Sequence, residues 1–137
     1  SPPAPAPDSG GGSPLAGPTI VETALHLRGI PYRNGGSTPS GFDCSGFTQF
    51  VFATHGVALP REVQDQFRIG RAVTRGRQEP GDLIFFSTVA PGASHVGISL
   101  GDDTFVHAPS SRGVVRVERM TSTYWTRRLV GIRRVTR

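Results

Sequence analysis

The 137-residue chain has no lysine, one cysteine, one tryptophan and one methionine. A lone cysteine excludes an internal disulfide and any zinc site built from several cysteines. Long apolar runs are missing too. The longest are pieces such as Phe50-Val51-Phe52-Ala53 and Leu83-Ile84-Phe85-Phe86, far short of the roughly 20 residues of a spanning helix. Without lysine, all 15 basic side chains are arginine, a pattern of compositional bias more than of a phosphate grip. They are scattered, with adjacent pairs only at Arg127-Arg128 and Arg133-Arg134. No helix, strand or aromatic stripe collects them, and that scatter argues against a nucleic-acid partner despite the net charge of +5. That charge suits a weak attraction to anionic polymers equally well.

Glycine and proline are abundant. There are 18 and 12 of them, nearly twice the usual share of about 12%. That composition argues against a helical bundle or a coiled coil. The length leaves room for one ordinary domain. Residues 1–18 hold 6 Pro and 4 Gly, and Leu15 is their only apolar side chain larger than alanine. Such a stretch cannot bury enough surface to offset its ordering entropy, and it is expected to be a tail or linker before a domain at 19–137. The chain opens at Ser1 with no apolar leader, so any export signal is expected to have been removed.

Thr19-Ile20-Val21-Glu22 fits a capping box, with Ile20, Ala24 and Leu27 at helical spacing and Gly29 and Pro31 as the stop. A polar loop, residues 34–41, leads to a second helix at about 44–55, and residues 61–68 suit a short third. Then the period changes. Strands are expected at 82–87, 95–100, 104–107, 114–118 and 129–135, with a hairpin turn at Gly101-Asp102-Asp103. Helices first and an antiparallel meander of about five strands afterwards mean an α+β fold.

Cys44 stands where the polar loop gives way to the second helix, flanked by Gly41, Asp43, Ser45 and Gly46. That is poor material for a core position. A thiol in a first helical turn feels the positive end of the dipole, which favours thiolate and a lowered pKa. A thiolate nucleophile also needs a proton shuttle and a group to orient it. His26 and His55 have structural explanations near helix ends. His95 and His107 lie on the two strands flanking the tight turn. If paired residue numbers sum to 202 they are directly opposite; at 204 they are diagonal neighbours on one face. From the residues alone, they could be a surface pair or half a metal site.

In order along the chain come Gly29-Ile30-Pro31-Tyr32 with Gly35-Gly36, then Gly41-Phe42-Asp43-Cys44-Ser45-Gly46. Leu59-Pro60-Arg61 with Gln66 come next, then Pro80-Gly81-Asp82-Leu83-Ile84-Phe85-Phe86, Ser94-His95-Val96-Gly97-Ile98 and Phe105-Val106-His107-Ala108. Together, over about residues 19–135, they resemble the NlpC-type cysteine peptidases of bacterial cell walls (the NlpC and p-sixty group), whose domains are papain-like. The resemblance implies a Cys-His-His triad. Cys44 attacks the peptide carbonyl, His95 shuttles the proton, and a neutral His107 holds the His95 ring. It also implies that the Tyr32 hydroxyl faces the scissile carbonyl, with the Cys44 amide as a second oxyanion donor. Asp43 and Ser45 match substrate-contacting positions. A core aromatic for Tyr32 and a simple helix cap for Asp43 stay open as plainer readings. Glu62-Val63 departs from the small hydroxyl residues usual after Leu59-Pro60-Arg61, which bears on fine specificity. Arg61 is either a ligand for a substrate carboxylate or an exposed arginine at a helix start.

The expected function is thus a peptidoglycan hydrolase cutting stem peptides at the D-γ-glutamyl–diaminopimelate bond. It would need no cofactor and no metal, act as a monomer, and be secreted or held in the cell envelope. Three alternatives remain: an amidase or acyl transferase with the same triad, a wall-binding module without turnover, and a zinc site on the Cys-His-His set.

Overall fold

A computed structural model describes residues 16–109 and 113–136; the expectations for residues 1–15 lie outside that range. The first helix, α1 (Ala16–His26), buries Gly17, Ile20 and Ala24, one stripe at helical spacing. It starts before the expected capping box. Thr19 lies inside the helix, and its Oγ1 donates back to the Ala16 carbonyl at 2.9 Å. The cause is tertiary: a Cβ on Gly17 would stand 2.1 Å from the Pro80 carbonyl oxygen. The first turn of α1 is therefore laid directly on the Pro80-Gly81 turn.

The polar loop contains a two-stranded ribbon, β1 (Ser37–Thr38) and β2 (Gly41–Phe42), in which Ser37 pairs with Phe42. It sets the entry to α2 (Cys44–Thr54), whose first turn tolerates no side chain at Gly46: a Cβ there would meet the Gly36 carbonyl oxygen at 2.0 Å. Phe47, Thr48, Val51 and Phe52 turn inward from α2. The third helix, α3 (Val63–Gln66), is one turn, shorter than the 61–68 expected.

The sheet has six strands: β3 (Arg71–Val73), β4 (Leu83–Phe86), β5 (His95–Ser99), β6 (Thr104–His107), β7 (Arg116–Arg119) and β8 (Leu129–Arg134). Their order is β3-β8-β4-β5-β6-β7, all neighbours antiparallel. The fold is α+β, with one strand more than the sequence suggested. Arg71-Ala72-Val73 shows no apolar alternation and becomes a strand only by pairing with residues 132–134. A single-turn helix before β8, α4 (Thr123–Thr126), is also new, capped where the Ser122 hydroxyl accepts the Trp125 N–H.

Both faces of the sheet are covered, which is why every residue of β4 is buried. One face, carrying Leu83, Phe85, Val96, Ile98 and Val106, packs on α1 and α2. The other carries Ile84, Phe86, Phe105 and Ile132 beneath Met120 and Trp125. His95 and His107 share the parity of this second face.

Candidate active site

The β5–β6 ladder ends at Ile98↔Val106, so the two strands part before reaching Val96 and Ala108. Paired numbers sum to 204, and His95 and His107 are diagonal neighbours on one face. The N–H of Leu100 bonds across to Thr104 at 3.1 Å, and strand alternation turns the Val96 N–H toward the same side. Beyond the end of the ladder, the Val96 backbone comes close enough to Cys44 to favour its thiolate. The N-terminus of α2 is thereby seated where β5 and β6 separate, one residue from His95. Asp43 caps that helix, its Oδ1 accepting the Gly46 N–H at 2.6 Å.

Burial overrides the dipole at Cys44. Removal from water, reinforced by the Asp43 charge, pushes the thiol up to about 11, against the smaller pull of the Val96, Ser45 and Cys44 N–H groups. The lowered thiol pKa expected from the helix N-terminus is therefore corrected: the resting group is a neutral thiol.

Nε2 of His95 lies 2.7 Å from Nδ1 of His107, and Nε2 of His107 lies 2.8 Å from Oε2 of Glu118. Glu118 is held at about 2, first by its bond to His107 and further by the Trp125 and Arg116 N–H donors. Its carboxylate can only accept, so His107 carries its proton on Nε2 and accepts through Nδ1. His95 must then donate from Nε2, which leaves a lone pair on Nδ1. Burial lowers the pKa of both imidazoles, His95 to about 3 with added repulsion from His107. Both rings are neutral at rest. The indole of Trp125 stacks on His95 at 5.4 Å and 24° between planes, while its Nε1–H donates to Glu118 at 3.0 Å. The imidazole nitrogens that face each other are occupied by their mutual bond, and among the described residues no group of three or more His, Cys, Asp or Glu is arranged to hold a metal.

Tyr32 lies beside Cys44 and Asp43. Burial raises its phenol above the ordinary value, and the Asp43 charge, with that of Cys44 once it ionises, adds to the rise while Arg61 opposes it; the hydroxyl keeps its proton. Arg61 is the tie between the two matched positions flanking the cysteine. It donates to Asp43 Oδ2 at 2.7 Å and to Ser45 Oγ at 2.8 Å. It is thus no free surface arginine. Gln66, fully buried, donates to the carbonyls of Pro60 at 2.8 Å and Ser45 at 3.2 Å and accepts from Thr48. His26 and His55 stay away from this cluster: His26 ends α1, and His55 bonds Thr23 across the helix pair at 2.7 Å.

The NlpC/P60 family model matches residues 29–134. The chain belongs to the NlpC/P60 family. It is 43% identical over 117 residues to the murein DD-endopeptidase MepS/murein LD-carboxypeptidase of Escherichia coli strain K12, covering 85% of this chain and 61% of that protein. It is 39% identical over 120 residues to the gamma-DL-glutamyl hydrolase of Bacillus subtilis strain 168, covering 85% of this chain and 29% of that protein. The domain thus spans less than two thirds of these curated relatives. Among solved structures, an NlpC/P60 family protein from Bacillus cereus superposes with a TM-score of 0.81 at 32% identity, over 87% of this chain and 40% of that one. The NlpC/p60 domain of the peptidoglycan hydrolase SagA superposes with a TM-score of 0.77 at 32% identity, over 86% of this chain and 97% of that one.

Within this NlpC/P60 domain, sequence reasoning missed Glu118, Arg116 and Trp125. Glu118 lay inside an expected strand, but nothing local marks it as a partner of His107. Only the β6–β7 register, with His107 opposite Arg116, brings it diagonal to the ring.

Proposed function

We propose that this domain is a cysteine endopeptidase that hydrolyses peptidoglycan stem peptides at the D-γ-glutamyl–diaminopimelate bond through a thioester on Cys44. The observation that carries the reading is the hydrogen-bonded chain from Glu118 through His107 to His95. It defines which nitrogen of His95 is free to take a proton. The family membership and the names of the relatives support the substrate class.

As the Cys44 sulfur attacks the carbonyl carbon, His95 Nδ1 accepts the thiol proton and a C–S bond forms. The oxyanion meets the Cys44 N–H, which has no carbonyl one turn earlier to bond, and the Tyr32 hydroxyl. The positive charge arising on His95 is shared through His107 with the Glu118 carboxylate. His95 then returns the proton to the leaving nitrogen, the C–N bond breaks, and a thioester remains. Water, deprotonated by the same Nδ1, releases the acid and restores the thiol. Because both partners rest uncharged, His95 acts as a general base during attack and not as half of a preformed ion pair. We place the enzyme outside the cytoplasm, secreted or in the envelope, where its polymer is found, and acting as a monomer.

Mass spectrometry of stem peptides incubated with the protein and with Cys44→Ala tests this. Release of the diaminopimelate half, abolished in the variant, is expected. Intact peptides with both proteins overturn the assignment, and release of an aminolysis product in place of the acid would make the protein a transferase.

A further inference from the structure

Beyond His95 the surface opens into a hollow of about 400 Å³, lined by Thr88, Val89, Arg116, Glu118, Tyr124 and Trp125 as well as His95 itself. Cys44, Tyr32, Asp43 and Ser45 are not among its walls. In the proposed mechanism they belong to the acyl side of the bond. His95 is the group that must reach the leaving nitrogen, so a cavity walled by His95 and lacking the nucleophile receives the leaving residue. This assignment rests on the proposed function, and the chemistry of the walls defines which leaving residue fits.

Among the described residues, Arg116 is the one arginine lining this hollow. Its Nε is committed to Glu118 Oε2 at 2.9 Å. That bond fixes the plane of the guanidinium and leaves its two terminal amino groups for a planar anion, the geometry that suits a carboxylate. Tyr124, about half exposed, forms the floor next to Trp125, their rings edge to face at 4.8 Å, and Arg128 lies over the Tyr124 ring at 3.7 Å. The charge continues outward, because Thr88 also borders a second hollow walled by Arg127 and Arg128. A cationic tip, an aromatic floor and a carboxylate-backed arginine favour a leaving residue with an aliphatic stem ending in a free carboxylate.

We infer that Arg116 is a specificity-determining residue that binds the free carboxylate at the end of the leaving amino acid. Diaminopimelate differs from lysine in having that carboxylate, so the hollow selects diaminopimelate-type stem peptides over lysine-type ones. It also selects against diaminopimelate whose terminal carboxylate is amidated.

The test measures kcat/KM on three peptides that share L-alanyl-γ-D-glutamyl and end in diaminopimelate, its terminal amide, or lysine. The wild-type protein is expected to prefer the free carboxylate by about 10-fold or more, the worth of one charge-assisted contact. Arg116→Gln should bring the three rates together, chiefly by lowering the first, and Arg116→Lys should fall between. A loss shared equally by all three peptides in Arg116→Gln would mean that Arg116 only braces Glu118, and it overturns the inference. So does a wild-type protein that cleaves all three alike. Cleavage of none of them by the wild-type protein overturns the proposed function and this inference with it.

Discussion

Glu118 Oε2 accepts the Nε2–H of His107 at 2.8 Å, and this single contact determines the proton positions on both histidines. A carboxylate cannot donate, so His107 must present a lone pair to His95, and His95 must present one outward. Glu118→Gln keeps an acceptor for His107 but removes the charge that balances the imidazolium. The variant is expected to lose about 10-fold or more in kcat with little change in KM, since the charge is needed only once the proton has moved. Glu118→Leu should lose more, because it leaves the buried His107 N–H without a partner. Equal kcat in wild type and Glu118→Gln would remove Glu118 from the mechanism.

Gly97 is the residue that lets His107 sit where it does. Continuing the β5–β6 register puts the two opposite one another, and a Cβ on Gly97 would come 2.7 Å from the Phe105 ring and 3.1 Å from the His107 Cβ. Gly97→Ala is expected to fold, with a cost of about 1–3 kcal/mol from overpacking. Its kcat should fall further than that loss of stability explains, as the His107 ring is displaced from His95. Activity at the wild-type level with a lowered midpoint of thermal unfolding would show that the ring accommodates the methyl group.

The thiol at Cys44 is buried and raised to about 11. Its alkylation by iodoacetamide should therefore be slower at pH 7 than that of a free cysteine, whose ordinary value is about 8.5. The rate should keep climbing with pH well past that value. Unfolding the protein should restore ordinary reactivity. A rate that levels off below pH 8 would show that the helix N-terminus, and not burial, governs the thiol.

Acid should destabilise the fold through the same cluster. His95 is held at about 3 in the folded chain, against about 6.5 when unfolded. Its contribution to stability is therefore complete above about 6.5 and is lost as pH falls toward 3, because the unfolded state takes up the proton first. His107 shifts in the same direction. Glu118, held at about 2 against an ordinary 4.5, adds a loss at lower pH. Calorimetric proton uptake on unfolding at pH 5 should fall by about one in His95→Gln relative to wild type. An unchanged uptake would mean that His95 is already protonated in the folded protein.

Arg61 ties Asp43 and Ser45 together, at 2.7 and 2.8 Å. Arg61→Met should release both side chains next to Cys44. A loss of about 1–2 kcal/mol in stability is expected from the charge-assisted bonds, with a larger effect on KM than on kcat. Steady-state kinetics together with denaturant titration separates the two.

Much of the site could be read before any fold was known, because it depends on near neighbours. Asp43 before Cys44 announces a capped helix start, and the cap is there. The tight turn at Gly101 made an even register sum sufficient to place His95 and His107 on one face, and the sum is 204. The α+β order of elements follows from apolar spacing that any short window contains.

What the sequence withheld depends on residues far apart along the chain. Arg71–Val73 is a strand because β8 offers it an edge, and α1 reaches back to Ala16 because Gly17 rests on Pro80. Glu118 reaches His107 only through the pairing of β6 with β7. The thiol pKa departs from its expected direction for the same reason: the helix dipole is local, but the burial that outweighs it comes from the whole fold. The chain by itself singled out Cys44, His95 and His107 as candidates for chemistry. Tertiary packing decided their protonation, their partners and the shape of the space beside them, because desolvation and strand register are set by residues that are distant in sequence and adjacent in space.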